Sequence, residues 1–185
     1  MGAVARTLGG VSRKVSLAAV PAGKRNRVAE ILKSSRLFRD DEVDVALELF
    51  DQSVHDDRDY VFVGAYDTTG ELTGFACYGP TPDTDRTYDL YWIAVDQAAQ
   101  NAGSGTTLLE EVERRLQEQD ARMVVVETSS RPDYEGTRNF YLRRGYKEAA
   151  RVKDFYGPSD GRVIFTKRLP GNRTRLAAHG VVSHE

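Results

Sequence analysis

Between residues 88 and 119 the chain contains a predicted strand, a glycine-containing turn and a predicted helix, and no other feature constrains the fold as strongly. Residues 88–95 are Tyr-Asp-Leu-Tyr-Trp-Ile-Ala-Val, rich in the aromatic and β-branched residues that favour strands. Gly103 and Gly105 follow, and glycine adopts backbone conformations that a Cβ disfavours. Peptide N–H groups can therefore converge on one anion at the start of the helix. The pattern indicates a phosphate-binding turn.

Two better-known phosphate motifs are excluded by particular residues. A P-loop requires lysine before a serine or threonine after its second glycine, and this chain has Thr106-Thr107. A dinucleotide-binding turn requires a third small residue where Leu108 stands. It also requires a shorter connection than the seven residues between Val95 and Gly103. An ordinary strand-to-helix loop with helix-entry glycines stays open as an alternative for the motif alone.

Length, charge and hydropathy narrow the class of protein. The chain has 185 residues, enough for one domain that buries about two-thirds of its unfolded surface. Its net charge of −2 argues against broad binding to nucleic acid, which needs a clustered basic surface. No apolar run approaches the roughly 20 residues of a membrane span, so no membrane partner is expected. These properties favour a substrate that is small or recognised locally.

Cysteine and histidine usage indicates a reducing compartment and gives no sign of a metal site. Cys77 is the single cysteine, which excludes an intramolecular disulfide and favours a cytoplasmic location. Its neighbours Phe75 and Tyr78 indicate a buried strand position rather than a nucleophile. We expect no metal, because the three histidines are too scattered to form a ligand set: His55, His179 and His184.

The ends of the chain differ from its middle. The first 29 residues contain six basic residues and no acid, and we interpret residues 1–14 as a basic, flexible leader outside the fold. A first strand is predicted at residues 15–21, so the domain is expected to span residues 15–169. Residues 170–185 lack periodicity and are expected to form a loose tail.

Hydrophobic periodicity, helix caps and turn residues predict a mixed order of strands and helices. Gly145 is expected to close the last helix in a left-handed conformation. Two hairpins are predicted, turning at residues 67–70 and 157–161. The predicted strands span residues 15–21, 60–66, 71–78, 87–95, 123–126, 146–155 and 162–169, and the predicted helices span residues 25–37, 40–54, 105–119 and 134–144.

Several of these segments together resemble one enzyme family. Gln100–Gly105 is similar to the Gln-x-x-Gly-x-Gly acetyl-CoA loop of the GNAT family of N-acetyltransferases, and Asn139–Tyr146 to its Phe-Tyr-x-x-x-Gly-Phe/Tyr segment. Residues 154–156 and 165–169 resemble its closing hairpin. The element order also resembles that of the family, over residues 15–169. One position departs from the pattern, since Tyr134 stands where many members have a CoA-contacting asparagine.

The resemblance implies a fold and a co-substrate. The implied fold is α+β in three layers, with about four helices and a central mixed sheet of about seven strands that splays between strands 4 and 5. Acetyl-CoA is the implied co-substrate, with the main chain of the fourth strand polarising the thioester. The residues expected to bind it are Ile93, Ala94, Val95, Gln100, Asn101, Ala102, Gly103, Ser104, Gly105 and Thr106.

Acetyl transfer to an amine also requires a base and an acid. A primary ammonium is neutral in about one molecule in a thousand at pH 7. The resemblance offers two bases: Asp89, six residues before Val95, and Glu127, expected to end the fifth strand and slightly favoured. Tyr141 is the implied general acid for the leaving thiolate. A structural role stays open for each: a carboxylate satisfied by a backbone N–H or an arginine, and an aromatic packing residue, although Phe140 is the better core candidate.

The acceptor is less constrained. Residues 40–59 contain nine acidic residues, which favour a cationic amine as acceptor. The alternative is that they form a solvated helix face. Arg131, in the segment before the last predicted helix, is a candidate for binding an acceptor carboxylate. We therefore expect direct acetylation of a small or amino-acid-like primary amine in a ternary complex, by a monomer or homodimer. The alternatives are a non-catalytic acyl-CoA-binding regulatory module and a protein N-terminal or lysine acetyltransferase.

Overall fold

The computed structural model describes residues 15–56, 59–100 and 103–170. Within these residues the element order is the predicted one. The strands are β1 Ser16–Ala19, β2 Val61–Tyr66, β3 Leu72–Pro80, β4 Thr87–Val95, β5 Met123–Ser129, β6 Lys147–Gly157 and β7 Asp160–Arg168. The helices are α1 Arg25–Ser35, α2 Asp40–His55, α3 Ser104–Glu118 and α4 Glu135–Leu142, with short 3-10 turns at Ala22–Lys24, Gln97–Ala99 and Pro132–Tyr134.

The seven strands of the described residues form one mixed sheet in the order β1-β2-β3-β4-β5-β7-β6. β4 and β5 run parallel, whereas β1 with β2, β2 with β3, β5 with β7 and β6 with β7 run antiparallel. Parallel pairing of β4 with β5 ends at Leu90 and Val126, although both strands continue. The predicted α+β fold, with a seven-stranded mixed sheet and four helices in the described residues, is therefore confirmed.

The described residues divide into two compact units. The first unit contains the residues up to Gly79 together with Tyr91–Val112. The second unit contains Pro80–Leu90 together with the residues from Glu113 onward. β4 and α3 each contribute residues to both units.

The core of the first unit lies between its first two helices and its strands. Val28, Ile31 and Leu32 of α1 are fully buried, at the spacing of one helix face. They share a hydrophobic cluster with α2, and burying a side chain such as Phe50 contributes roughly 1.5–3 kcal/mol. Cys77 is fully buried in the same cluster, which confirms its predicted position, and burial raises the pKa of its thiol.

The third strand is longer than the sequence predicts. β3 continues through Gly79 to Pro80, two residues past the predicted end at 78. A Cβ on Gly79 would stand 1.8 Å from the carbonyl oxygen of Asp59, so the missing side chain lets the two segments approach. The predicted loop therefore begins only at Thr81.

The core of the second unit is built around one face of β5 and β7. Val124, Val126 and Phe165 are buried there, alternating with less buried neighbours as strand geometry requires. Beside them a partly buried ion pair joins Lys167 Nζ to Glu113 Oε2 at 2.7 Å.

Several boundaries in the second unit differ from the predictions by two or three residues. α4 ends at Leu142 rather than residue 144, although Gly145 adopts the predicted left-handed conformation, with φ of 81°. The last hairpin turns within two residues, Pro158 and Ser159, because β6 and β7 extend closer to each other than predicted. β5 extends to Ser129, because backbone pairing with β7 continues through the polar end of the strand.

Some predictions concern residues outside the described part of the chain. These are the basic leader at residues 1–14, the tail beyond residue 170, the turn residues Asn101 and Ala102, and the histidines His179 and His184.

Candidate active site

The connection from β4 to α3 is anchored in the first unit by Asp96. Its Oδ1 accepts a hydrogen bond from the Ala98 N–H at 2.9 Å, and its Oδ2 accepts one from Arg27 Nη2 at 2.5 Å. The Ala98 N–H and, after it, Arg27 hold the pKa of Asp96 below its usual value, against the opposing effect of burial. The Asp96 N–H donates to the Thr73 carbonyl at 2.8 Å. The connection is therefore tied to both α1 and β3.

Gly103 lies immediately before Ser104, the first residue of α3. Gly103 has a φ of 84°, in the left-handed region that favours glycine. Its carbonyl accepts the Thr107 N–H at 3.0 Å, which closes the first turn of α3. The N–H groups of Ser104 and Gly105 lie within that first turn, where a helix has no carbonyl of its own to offer them. The positive end of the helix dipole adds to their field.

The other predicted acetyl-CoA contacts in the first unit lie before the turn. Gln100 is exposed, and its Nε2 donates to the Val95 carbonyl at 3.4 Å. Ala94 is buried, and its carbonyl lies 2.9 Å from the position of a Cβ added at Gly74. Gly74 therefore lets β3 approach the end of β4. The sequence analysis missed this residue, although a glycine inside a predicted strand can signal such an approach.

Asp89 and Glu127 share one face of the sheet in the second unit. Asp89 is paired with Val125 across the parallel strands, so the two side chains lie on the same side. Glu127 follows two residues later on β5, on that same side, and its cross-strand partner on β7 is Ile164. Arg162 lies two residues from Ile164 on β7, so its side chain is on the same side as those of Asp89 and Glu127. We call Asp89, Glu127 and Arg162 the carboxylate face.

Glu127 forms an ion pair. Arg162 Nη2 donates to its Oε1, and both side chains are partly exposed. Contrary to the prediction, Glu127 does not end β5, because Thr128 and Ser129 continue the pairing with β7. Arg162 was missed by the sequence analysis, since nothing local marks a residue of β7 as the partner of a carboxylate 35 positions away.

Asp89 has a different environment. It is half-buried, and its Oδ2 accepts a hydrogen bond from Thr81 Oγ1 at 2.7 Å. Burial raises the pKa of Asp89 above its usual value, although the Thr81 hydroxyl and the charge of Arg162 oppose the shift. A carboxyl with a raised pKa is a stronger proton acceptor at neutral pH.

Tyr141 lies apart from the carboxylate face. Its ring packs 6.1 Å from the ring of Phe165 and 5.4 Å from that of Tyr146, measured between centroids. Phe165 alternates with Ile164 along β7, so this contact is on the opposite face of the sheet. Burial raises the pKa of the Tyr141 phenol. Tyr141 is more buried than Phe140, which is covered by Arg144, so the expectation that Phe140 is the core residue was wrong.

The segment before α4 is held by side chains. Arg131 pairs with Asp133 Oδ2 at 3.1 Å and lies over the ring of the buried Tyr134. Arg138 Nη1 donates to the carbonyls of Ser129 and Arg131, both at 2.8 Å. An acceptor carboxylate would therefore compete with Asp133 for Arg131.

Neither a membrane segment nor a metal cluster was found in the described residues. None of their helices combines the length and the apolar character needed to cross a bilayer. No group of three or more histidine, cysteine, aspartate or glutamate side chains there is arranged to hold a metal ion.

Comparison with known proteins identifies the family. Residues 25–146 match the sequence model of the acetyltransferase (GNAT) family. A structure assigned to the GNAT family, from Desulfovibrio desulfuricans, is 36% identical, covers 84% of this chain and 99% of its own, and superimposes with a TM-score of 0.81. The chain belongs to the GNAT family of acetyltransferases.

More distant structures share the fold. The ribosomal-protein-S18-alanine N-acetyltransferase of Escherichia coli is 17% identical, with a TM-score of 0.69 over 85% of this chain and 97% of its own. The protein yncA from Salmonella typhimurium, whose structure contains acetyl-CoA as cofactor, is 16% identical, with a TM-score of 0.68 over 85% and 95%. No curated protein matches the chain in a sequence search.

Proposed function

We propose that the chain is an N-acetyltransferase that moves an acetyl group from acetyl-CoA to a primary amine. The observation that carries the proposal is the left-handed conformation of Gly103 directly before α3, in a GNAT-family chain, which supports an anion site at the first N–H groups of that helix. A pyrophosphate fits this donor set, because it offers several oxygens to converging N–H groups. In this proposal Gln100 to Thr106 hold the pyrophosphate, and the main chain of Ile93, Ala94 and Val95 binds the pantetheine arm.

Asp89 is the proposed base. Its raised pKa supports this role, because an ammonium must lose a proton before its nitrogen can attack. The amine nitrogen bonds to the acyl carbon while the carbon–sulfur bond breaks. One ammonium proton passes to the Asp89 carboxylate, directly or through water, before the attack. The second N–H proton, lost after the attack, replaces the proton that Tyr141 gives to the sulfur. Glu127 is the alternative base, and its ion pair with Arg162 makes one of its oxygens less available.

Tyr141 is the proposed acid. Acetyl-CoA, when bound, supplies an activated acyl group on a thiolate leaving group. A tyrosine phenol is protonated at neutral pH, so a proton is present for the departing sulfur. The main-chain N–H groups near Val95 would polarise the thioester carbonyl.

The proposed acceptor is a small or amino-acid-like primary amine. The acid-rich helix α2 supports a cationic acceptor, although Asp41 and Asp51 already pair with Arg39 and Arg25. Arg131 would bind an acceptor carboxylate by giving up its ion pair with Asp133 and forming one with the acceptor. A cytoplasmic location is part of the proposal, supported by the buried, single Cys77.

The test is release of free CoA thiol from acetyl-CoA in the presence of amines, amino acids and short peptides. We expect turnover with one class of small amine and at most weak turnover with peptides. Preference for a peptide would make the chain a protein acetyltransferase. Tight binding of acetyl-CoA without turnover on the whole panel would indicate a non-catalytic binding module and contradict the proposal.

A further inference from the structure

Arg162 acts on both carboxylates of the carboxylate face. Its Nη2 donates to Glu127 Oε1, and its positive charge opposes the effect of burial on Asp89. The direct contact is with Glu127, whereas Asp89 receives its hydrogen bond from the neutral hydroxyl of Thr81. The two carboxylates are therefore inequivalent, because Glu127 has a cation as its direct partner whereas Asp89 is half-buried beside a neutral hydroxyl.

The position of Arg162 is fixed by its surroundings. Its backbone is paired on both sides, with Ser129 of β5 and with Val152 of β6. Its guanidinium carbon lies 4.7 Å from the centroid of the Phe155 ring. Its Nε is buried and makes no hydrogen bond to any residue in the described part of the chain. The guanidinium therefore packs against the sheet and is only partly exposed.

We propose that Arg162 is a positioning residue that engages Glu127 and so leaves Asp89 as the carboxylate that accepts the proton of the amine. Proton transfer to Glu127 would break a charge-assisted hydrogen bond with Arg162. Transfer to Asp89 breaks an N–H bond of the ammonium, forms an O–H bond on the carboxyl, and leaves the ion pair of Glu127 intact. The inference rests on the proposed acetyl-transfer function and assigns the proton within it.

Two charged side chains share the sheet face of Asp89: Arg162 from β7, whose charge acts on Asp89, and Glu127 from β5. Their removal has opposite effects. Without the positive charge of Arg162, the pKa of Asp89 rises further. Without the negative charge of Glu127, repulsion of the Asp89 carboxylate falls and the charge of Arg162 is no longer neutralised by a partner, so the pKa of Asp89 falls. Both shifts require that the two charges act on Asp89 across the carboxylate face.

The experiment is a titration of the Asp89 carboxyl carbon by NMR in protein labelled with ¹³C-aspartate, with Asp89→Asn identifying the resonance. We expect Arg162→Gln to move the midpoint up by about one pH unit and Glu127→Gln to move it down by a similar amount. Arg162→Lys, which keeps the charge, should stay close to the unaltered protein. Arg151→Gln is the matched control, because Arg151 forms an exposed pair with Glu148 on the neighbouring strand.

The same variants are assayed for acetyl transfer against pH. The acidic limb of the kcat profile should follow the Asp89 midpoint in each variant, up in Arg162→Gln and down in Glu127→Gln. A midpoint that moves in neither variant overturns the proposal, as does a larger loss of kcat in Glu127→Gln than in Asp89→Asn. If Arg162→Gln fails to fold, the titration midpoint of Asp89 in Glu127→Gln is the test. A downward shift supports the proposal, and an unchanged midpoint overturns it. Absence of turnover in every protein would overturn the proposed function, while the titration would still test the role of Arg162.

Discussion

The two units of this chain hold their predicted functional groups by different means. In the first unit the groups expected to bind acetyl-CoA are mainly backbone N–H groups around Gly103, and their placement depends on one left-handed glycine and on the anchor between Asp96 and Arg27. In the second unit the groups expected to carry the chemistry are side chains, and their properties depend on partners. Thr81 donates to Asp89, and Arg162 binds Glu127.

This difference determines how a substitution can disturb each site. A backbone site has no side chain to remove, so it is disturbed by changing the conformation or the anchoring of the chain. A side-chain site is disturbed by removing one functional group while the fold is kept. We therefore expect the first unit to control affinity for acetyl-CoA and the second to control the rate of acetyl transfer.

The largest effect is expected for Asp89→Asn. Removing the general base should lower kcat by about 10²- to 10³-fold and leave the dissociation constant of acetyl-CoA unchanged. Steady-state kinetics together with calorimetric binding would measure both quantities. Glu127→Gln is the matched control and should lower kcat less than about tenfold at neutral pH, because its carboxylate already has a cationic partner. Equal losses in the two variants would contradict the assignment of the base.

Tyr141→Phe is expected to have the next largest effect. The variant loses the phenolic proton but keeps the ring that packs against Phe165 and Tyr146. We expect kcat to fall at least about tenfold, with a melting temperature close to that of the unaltered protein. An unchanged kcat would show that Tyr141 is only a packing residue, as its position opposite the carboxylate face allows.

In the first unit, Gly74→Ala should reduce stability. The added Cβ would stand 2.9 Å from the Ala94 carbonyl and 3.3 Å from Leu108, so β3 and β4 would have to move apart. Overpacking of this kind costs roughly 1–3 kcal/mol, measurable as a lower midpoint of urea unfolding. Gly23→Ala is the control, because a Cβ there meets no atom within 4 Å. Similar effects in both variants would mean that the close approach at Gly74 is unimportant.

A smaller effect is expected for Arg27→Gln, which removes the cation that holds Asp96. Losing about 1 kcal/mol of anchoring would weaken acetyl-CoA binding by roughly fivefold, without a change in kcat. The control is Arg25→Gln, whose pair with Asp51 is more exposed and joins α1 to α2 rather than holding the turn. A fall in kcat with unchanged affinity would contradict the division between the two units.

Much of the fold could be predicted because its signals are local. The predicted bounds of β4 match the observed ones, and those of α3 differ by one residue at each end. In this part of the chain, strand-forming residues, glycines and an amphipathic pattern lie next to one another. The ends of β3 and β5 were missed because they depend on distant contacts. β3 extends through Gly79, where the backbone closely approaches Asp59, and β5 extends to Ser129, which pairs with Arg162 of β7.

The predicted site divides in the same way. The glycine turn is predicted from a local sequence pattern, and in the structure Gly103 has a left-handed conformation that favours glycine. The roles of Asp89, Glu127 and Tyr141 stay predictions, and the sequence contained no sign that Arg162 would engage one carboxylate or that Tyr141 would pack on the other face. Such relations arise only when strands far apart in sequence are placed in register.

The central claim is that the turn at Gly103 binds acetyl-CoA, and calorimetric titration of acetyl-CoA into the unaltered protein and into Gly103→Val tests it most directly. A β-branched residue is strained at a φ of 84°, so the variant should bind at least about tenfold more weakly, a loss of roughly 1.4 kcal/mol, while remaining folded by circular dichroism. Equal affinity in the two proteins, or no binding by the unaltered protein, would contradict the account.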